Sequence, residues 1–397
     1  VDLTAVLLRL PVPRIFVVSA PGSSALRLAI ERETRARGWV EALTPANTDI
    51  LVVCGGDGSF LADSTEQIWR QVPCPRAYVQ VTTARTLAQQ LDDAQAALRD
   101  VAALREDAER HEHFHDRETG GHEMDMGGTD HGDMGDMDRG GMGDMDHGDM
   151  SMSMDVPGGI PMADRGSDRD GLKLDRLHVA LGPALPDWPT GLIVRLVLQG
   201  DVVQEAETEA IGLPVGSSFW LEAERDALDP IRVHAAAAAD SLQRFLSVAG
   251  WRSAAMTGRL LRDELLASAP STAHPRFVRW MRTVRRSHTL RWSISGLGEL
   301  GPDAPVGLRG DAYSRSMRWL DEIAAAIKAR DADGPADATW GSQRAEGARA
   351  VVRMLPSLLI GQEFAGGRLI VASFDPDLET LHELDASARM PADGSGS

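Results

Sequence analysis

Cysteine is almost absent: Cys54 and Cys74 are the only two in 397 residues. One pair cannot build a disulfide scaffold, nor supply by itself the four thiolates that hold an iron–sulfur cluster. Both therefore read as partly buried free thiols in a reducing cytoplasm. Basic charge is also short. The 41 Lys and Arg are outweighed by 59 Asp and Glu, a formal net charge of −18. That argues against nucleic acid as a partner, because a phosphate backbone is met with a basic face. No uncharged run approaches the roughly 20 residues that a membrane helix needs. No export signal is expected in the first residues, where Leu3–Leu10 is interrupted by Arg9 and followed by Pro11 and Pro13. The expectation is a cytoplasmic protein, soluble or peripheral on the inner face of the membrane. There is no Ser/His/Asp arrangement, Walker loop or His-Glu-x-x-His motif.

What is present suffices for two hydrophobic cores, with 43% hydrophobic residues. Residues 14–109 alternate strand and helix patterns. Arg14–Ser19 and Asp49–Cys54 are short apolar runs rich in β-branched residues, and the second suggests burial on both faces. Arg76–Val81 is a third strand. Between them, Ala25–Arg37 repeats at helical spacing, with Leu26, Ile30 and Thr34 on one face and Gly38 as a stop. A second helix covers about Phe60–Gln71, and Thr83–Arg110 is rich in Ala, Leu and Gln, hence helical. Alternation of this kind favours a parallel sheet, because each crossover needs a helix.

A different composition begins at His111. From His111 to Asp155 there are 13 acidic residues against two arginines, and His111–Met162 holds six of the 11 histidines and ten of the 15 methionines. The segment is too polar and Gly-rich to bury a core. Its candidate metal ligands are His111, His113, His115, His122, Met124, Met126, His131, Met134, Met137, Met142, Met145, His147, Met150, Met152 and Met154. Thioethers favour Cu(I), whereas imidazole and carboxylate suit Cu(II), Ni(II) or Zn(II), so the mixture points to copper, with nickel or zinc as alternatives. Ordering such a loop costs about 1–2 kcal/mol per fixed residue, which predicts modest affinity for several ions. A solvated acidic linker is the competing reading.

Beyond the insert, Leu172–Val179 and Leu192–Leu198 read as strands. Gln199–Asp201 turns the second into Val202–Thr208 as a hairpin. After Pro230 the pattern becomes helical over Ile231–Ala249, Ala254–Ala267, Pro275–His288, Ala312–Ala329 and Arg344–Phe364. Arg368–Ser373 reads as a late strand. The expected architecture is an α/β N-terminal domain with a short parallel, flavodoxin-like sheet (1–110) and a linker (111–170). A mainly helical α+β domain with a small antiparallel sheet (171–385) and a disordered tail (386–397) follow.

The run from Gly182 through Pro183, Pro186 and Pro189 to Leu192, then Gln199–Val203 and Ala210–Gly212, resembles the start of the large subunit shared by respiratory complex I and nickel–iron hydrogenases. Asp49–Gly55, the helix to Trp69 and Val72–Arg76 are placed similarly to a segment of the small, cluster-carrying partner subunit. The resemblance covers about half the chain and implies a fusion of the two subunit types. It also implies what is lost. Ser23 and Ser24 stand where the small subunit has a Cys pair, no Cys pair is present around Arg232–His234 for nickel, and Leu185 and Thr190 stand roughly where quinone-binding histidines would be. The expectation is a non-catalytic accessory subunit, without cofactor in its folded domains, on a membrane-embedded antiporter-like module.

Three further signals remain. Gly55-Gly-Asp-Gly58 resembles the glycine loop of NAD kinases and diacylglycerol-type lipid kinases, where Asp57 would take part in catalysis. The competing reading is a strand-to-helix turn that needs glycine for positive φ. Arg279, Arg282, Arg285, Arg286 and Arg291, beside Trp280 and Trp292, form a basic cluster suited to an acidic subunit, to anionic lipid headgroups or simply to solvent. His178, His234, His274 and His288 are scattered and read as structural.

Overall fold

A computed structural model describes residues 12–55, 59–119, 165–167, 173–211, 218–226, 229–267, 275–328 and 339–382. In the first half, strands β1 (Arg14–Ser19), β2 (Val40–Glu41), β3 (Ile50–Cys54) and β4 (Ala77–Val81) form a parallel sheet in the order β2-β1-β3-β4. Ile15 is in register with Ile50, and Ile50 with Ala77. All five residues of β3 are buried, as expected of a central strand covered on both faces, whereas β4 alternates buried and exposed at the edge. Helices α1 (Ser24–Ala36), α2 (Ser59–Gln71), α3 (Leu87–Ala97) and α4 (Val101–Thr119) complete the unit. Leu87, Leu91 and Ala94 of α3 pack with Ile15, Ile50 and Val52 on one face. Phe16, Leu51, Val53 and Leu61 pack on the other, joined by Ala184 from the second half. The Thr83–Arg110 pattern is two helices, and the second continues past Arg110 through Thr119.

The second half opens with an antiparallel sheet, β5 (Arg165–Ser167), β6 (Lys173–Leu181), β7 (Leu192–Gln199) and β8 (Val202–Ala210), in sequential order. The β7–β8 hairpin turns at Gly200, whose φ of +63° suits glycine. The buried face of β7 packs against α11 (Trp340–Leu359) and α12 (Phe364–Phe374) through Leu192, Val194, Leu196, Val351, Leu355 and Ile370. The remaining helices are α5 (Phe219–Asp226), α6 (Pro230–Val248), α7 (Arg252–Leu266), α8 (Pro275–Arg285), α9 (His288–Ile294) and α10 (Ala312–Lys328). The middle of α6, Ala235–Gln243, is buried continuously, and the alanines leave room for neighbouring helices on several sides.

Two sequence expectations fail here. Residues Arg368–Ser373 are helical, lying within α12. A short apolar run does not distinguish a buried strand from a buried helix, and the surrounding bundle decides. The helix expected over Arg344–Phe364 ends at Leu359, and a turn carrying Gly361 at φ +80° separates it from α12. Among the described residues no helix is long and apolar enough to cross a membrane.

Candidate functional site: a buried charge junction

The two halves meet through charge. Arg27, Glu31 and Arg35 recur every four residues on α1 and so share one face. Asp240, Gln243 and Arg244 share a face of α6, and Arg259, Arg262 and Asp263 a face of α7. Arg27 donates to Asp240 at 2.6 Å and to Glu31 at 2.7 Å. Arg262, with 0% of its surface exposed, donates to both Glu31 and Asp240 at 2.7 Å and to Asp263 at 2.8 Å. Arg35 also reaches Asp263. Charges so buried persist only because each has an opposite partner and hydrogen bonds.

The electrostatics follow from that pairing. Burial alone would raise the carboxyls of Glu31 and Asp240, but Arg262 and Arg27 beside Glu31, and Arg27 and Arg244 beside Asp240, hold both well below the usual carboxylate range. Asp187 behaves differently. It lies in the loop between β6 and β7, at φ +56°, where burial pushes its carboxyl up to about 6 against the hydrogen bond from Ser247 at 2.5 Å. Arg259 donates to it at 2.8 Å, to Gln243 at 2.7 Å, and pairs with Glu41 of β2. Burial, with repulsion from Arg262, brings Arg259 itself down to about 10 despite the attraction of Glu31.

Of these groups, Arg27, Glu31, Glu41, Asp187, Arg244 and Arg259 line a small cavity between the halves, closed by Ile15 and Val17 of β1 and by Leu185, Pro186, Trp188 and Thr190 of the β6–β7 loop. Its volume is about 60 Å³. That is space for a few waters and far less than the roughly 300 Å³ at which organic ligand pockets begin. Chemically, the junction offers a carboxyl that takes up a proton just below neutral pH, within a fixed array of guanidinium groups. A wider groove of about 780 Å³ lies between the turn at Val306–Leu308, α10, α11 and the end of α12, lined by Trp319, Trp340, Arg344 and Asp377. Its Arg344 is already paired with Asp377 at 2.9 Å.

The loop that leads into α1 is also occupied from within. Ser23 Oγ donates to the Ala20 carbonyl. Ser24 Oγ donates to Glu379 Oε1 at 2.8 Å, and the backbone N–H groups of Gly22 and Ser24 reach the same oxygen at 3.1 and 3.3 Å. Cys54 lies beside this loop with its Sγ 3.2 Å from Ser19 Oγ, and burial pushes its thiol up. Neither Cys54 nor Cys74 forms a disulfide, and Cys74 Sγ donates to Asp107 Oδ2 at 3.4 Å. A Cβ on Gly55 would come within 2.6 Å of Ala20, so this position of the glycine loop needs glycine for packing.

Sequence-predicted site residues are only partly reached. Helix α4 spans His111, His113 and His115, whose side chains lie outside the described residues. His122, Met124, Met126, His131, Met134, Met137, Met142, Met145, His147, Met150, Met152 and Met154 lie outside them altogether, as does Asp57. Among the described residues no group of three or more His, Cys, Asp or Glu could hold a metal ion. His234 stacks on Trp340 at 4.2 Å and bonds Glu224 at 2.7 Å, a structural role. Sequence reasoning missed the junction, although one signal was present: Arg27 and Glu31 fall on the same arc of α1 as Ile30 and Thr34, where a helix meets its core. Comparison with protein-family models, with curated proteins and with solved structures finds no match for this chain.

Proposed function

We propose that the chain is a non-catalytic accessory subunit of the complex I and hydrogenase type, in which small-type and large-type partners are joined in one polypeptide. It docks on a membrane-embedded, antiporter-like, proton-translocating module from the cytoplasmic side. The observation that carries this reading is the junction: a parallel α/β unit and a mainly helical α+β unit bury a shared ion network, as two subunits of an obligate pair would. Three details support it. The strand order β2-β1-β3-β4 matches the first four strands of the flavodoxin-like order. Ser23 and Ser24 engage Ala20 and Glu379 instead of offering thiolates. Leu185 and Thr190 line a cavity too small for a quinone ring system with its tail.

The test is purification of the tagged full chain from its native membranes, with elemental analysis. The expected result is co-purification of antiporter-like membrane subunits and no iron. Stoichiometric iron with acid-labile sulfide, or no membrane partner, overturns the proposal.

A second reading concerns the insert, and its motivation is that α4 runs without a break from the α/β half into the His-rich stretch. On this reading the insert binds copper, or alternatively nickel or zinc, through its imidazoles and thioethers. Deleting residues 111–155 and repeating a copper titration tests it: binding is lost if the reading holds, and unchanged binding removes it.

A further inference from the structure

Between Pro275 and Gly298 the chain carries six arginines and no acidic residue, within a protein of net charge −18. Helices α8 and α9 turn this stretch into a ridge. Phe277, Trp280 and Val284 of α8, with Leu290 and Ile294 of α9, are buried in the helical core. Trp280 is pinned by its indole N–H, which donates to the Ala254 carbonyl at 3.0 Å. The arginines consequently face outward, and all six are exposed.

Their partners are few. Arg276 pairs with Glu264 at 2.6 Å, Arg285 pairs with Asp321, and Arg291 lies over the Tyr313 ring at 5.4 Å. Arg279, Arg282 and Arg286 make no side-chain hydrogen bond or ion pair with any described residue. Trp292, next to Arg291 in the chain, is 86% exposed, the most exposed large hydrophobic side chain described, and Val278 on the preceding helix is 37% exposed. An exposed indole on the helix that follows a run of outward-facing guanidinium groups is a combination that a headgroup layer accepts, the ring entering the interface while the cations meet phosphates.

We infer that the α8–α9 ridge is a docking surface for an anionic phospholipid bilayer. The charge complementarity is local. At physiological salt a charge is felt over about 8 Å, so acidic charge farther away than that does not cancel the arginines of the ridge. The inference is independent of any protein partner. Pure lipid vesicles contain none, so lipid binding and co-purification with membrane subunits can fail separately.

The experiment is co-sedimentation of the full chain with vesicles of phosphatidylcholine alone and of phosphatidylcholine mixed with phosphatidylglycerol. The expected result is pelleting only with the anionic vesicles, lost at high salt. Each arginine at an anionic leaflet contributes on the order of five-fold to partitioning, so the triple variant Arg279→Gln, Arg282→Gln, Arg286→Gln should bind roughly 100-fold more weakly. Trp292→Ala should also weaken binding. A charge-matched control, Arg85→Gln, Arg99→Gln, Arg105→Gln, removes three exposed arginines elsewhere and should bind like the parent. All substituted residues are exposed, and an unchanged melting curve verifies the fold of each variant. Equal binding to both vesicle types, no binding to either, an unaffected ridge variant, or an equal loss in the control overturns the inference. So does binding to duplex DNA or polyglutamate in place of vesicles.

Discussion

Replacing Arg262 by methionine removes the guanidinium group that ties Glu31, Asp240 and Asp263 together, while methionine keeps much of the buried volume. Deleting one partner of a buried ion network costs about 3–5 kcal/mol, because the remaining charges stay desolvated. The lower part of that range applies, since Glu31 keeps Arg27 and Asp240 keeps Arg27 and Arg244. The expected loss is about 3 kcal/mol, seen as a fall in melting temperature of roughly 5–10 °C. Its pH dependence has a definite sign. In the parent, Glu31 and Asp240 are held below their unfolded values, so their contribution is complete above pH of about 4 and is lost as pH falls further. Without Arg262 both carboxyls move up and less remains to be lost. The gap between parent and variant is therefore widest near neutrality and narrows in acid. Urea denaturation at several pH values measures it. A double-mutant cycle with Glu31→Gln should give a coupling of about 2 kcal/mol. A variant within about 1 kcal/mol of the parent at neutral pH, or a gap that widens in acid, would refute the reasoning.

Asp187, with its carboxyl raised to about 6, works in the opposite sense. The folded state holds its proton more tightly, so stability falls by up to about 3 kcal/mol as pH rises from the unfolded value near 4 through 6. In Asp187→Asn that part of the slope should disappear from denaturation curves across the same window. Gly182→Ala should be severe. Gly182 sits at φ +85°, and a Cβ there would collide with the Leu192 carbonyl that accepts the Trp188 indole hydrogen bond. A loss of about 3 kcal/mol or more is expected. Gly200→Ala, at φ +63° with open space around it, should cost only about 1 kcal/mol by the same melting assay. Arg315→Lys should cost about 2–3 kcal/mol, because lysine cannot replace the bonds from the Arg315 guanidinium to the carbonyls of Gly298 and Gly310 and to Ser373.

The sequence by itself determined the local elements. The β-branched runs of β1 and β3, the period-two pattern of β7 and the glycine turns at Gly38 and Gly200 are decided by backbone sterics and by which side of an element is apolar, and such signals act over a few residues. It also determined that there are two cysteines, since thiol count is a matter of composition. Tertiary structure alone decided that Arg368–Ser373 is helical, because the bundle around α12 buries its apolar residues in that form. The charge junction was decided the same way. Arg27 and Asp240 are separated by 213 positions, and each read singly is a residue that prefers water. Only when α1 is pressed against α6 and α7 do they lose that water together, and the resulting lack of screening makes the pairing between them strong.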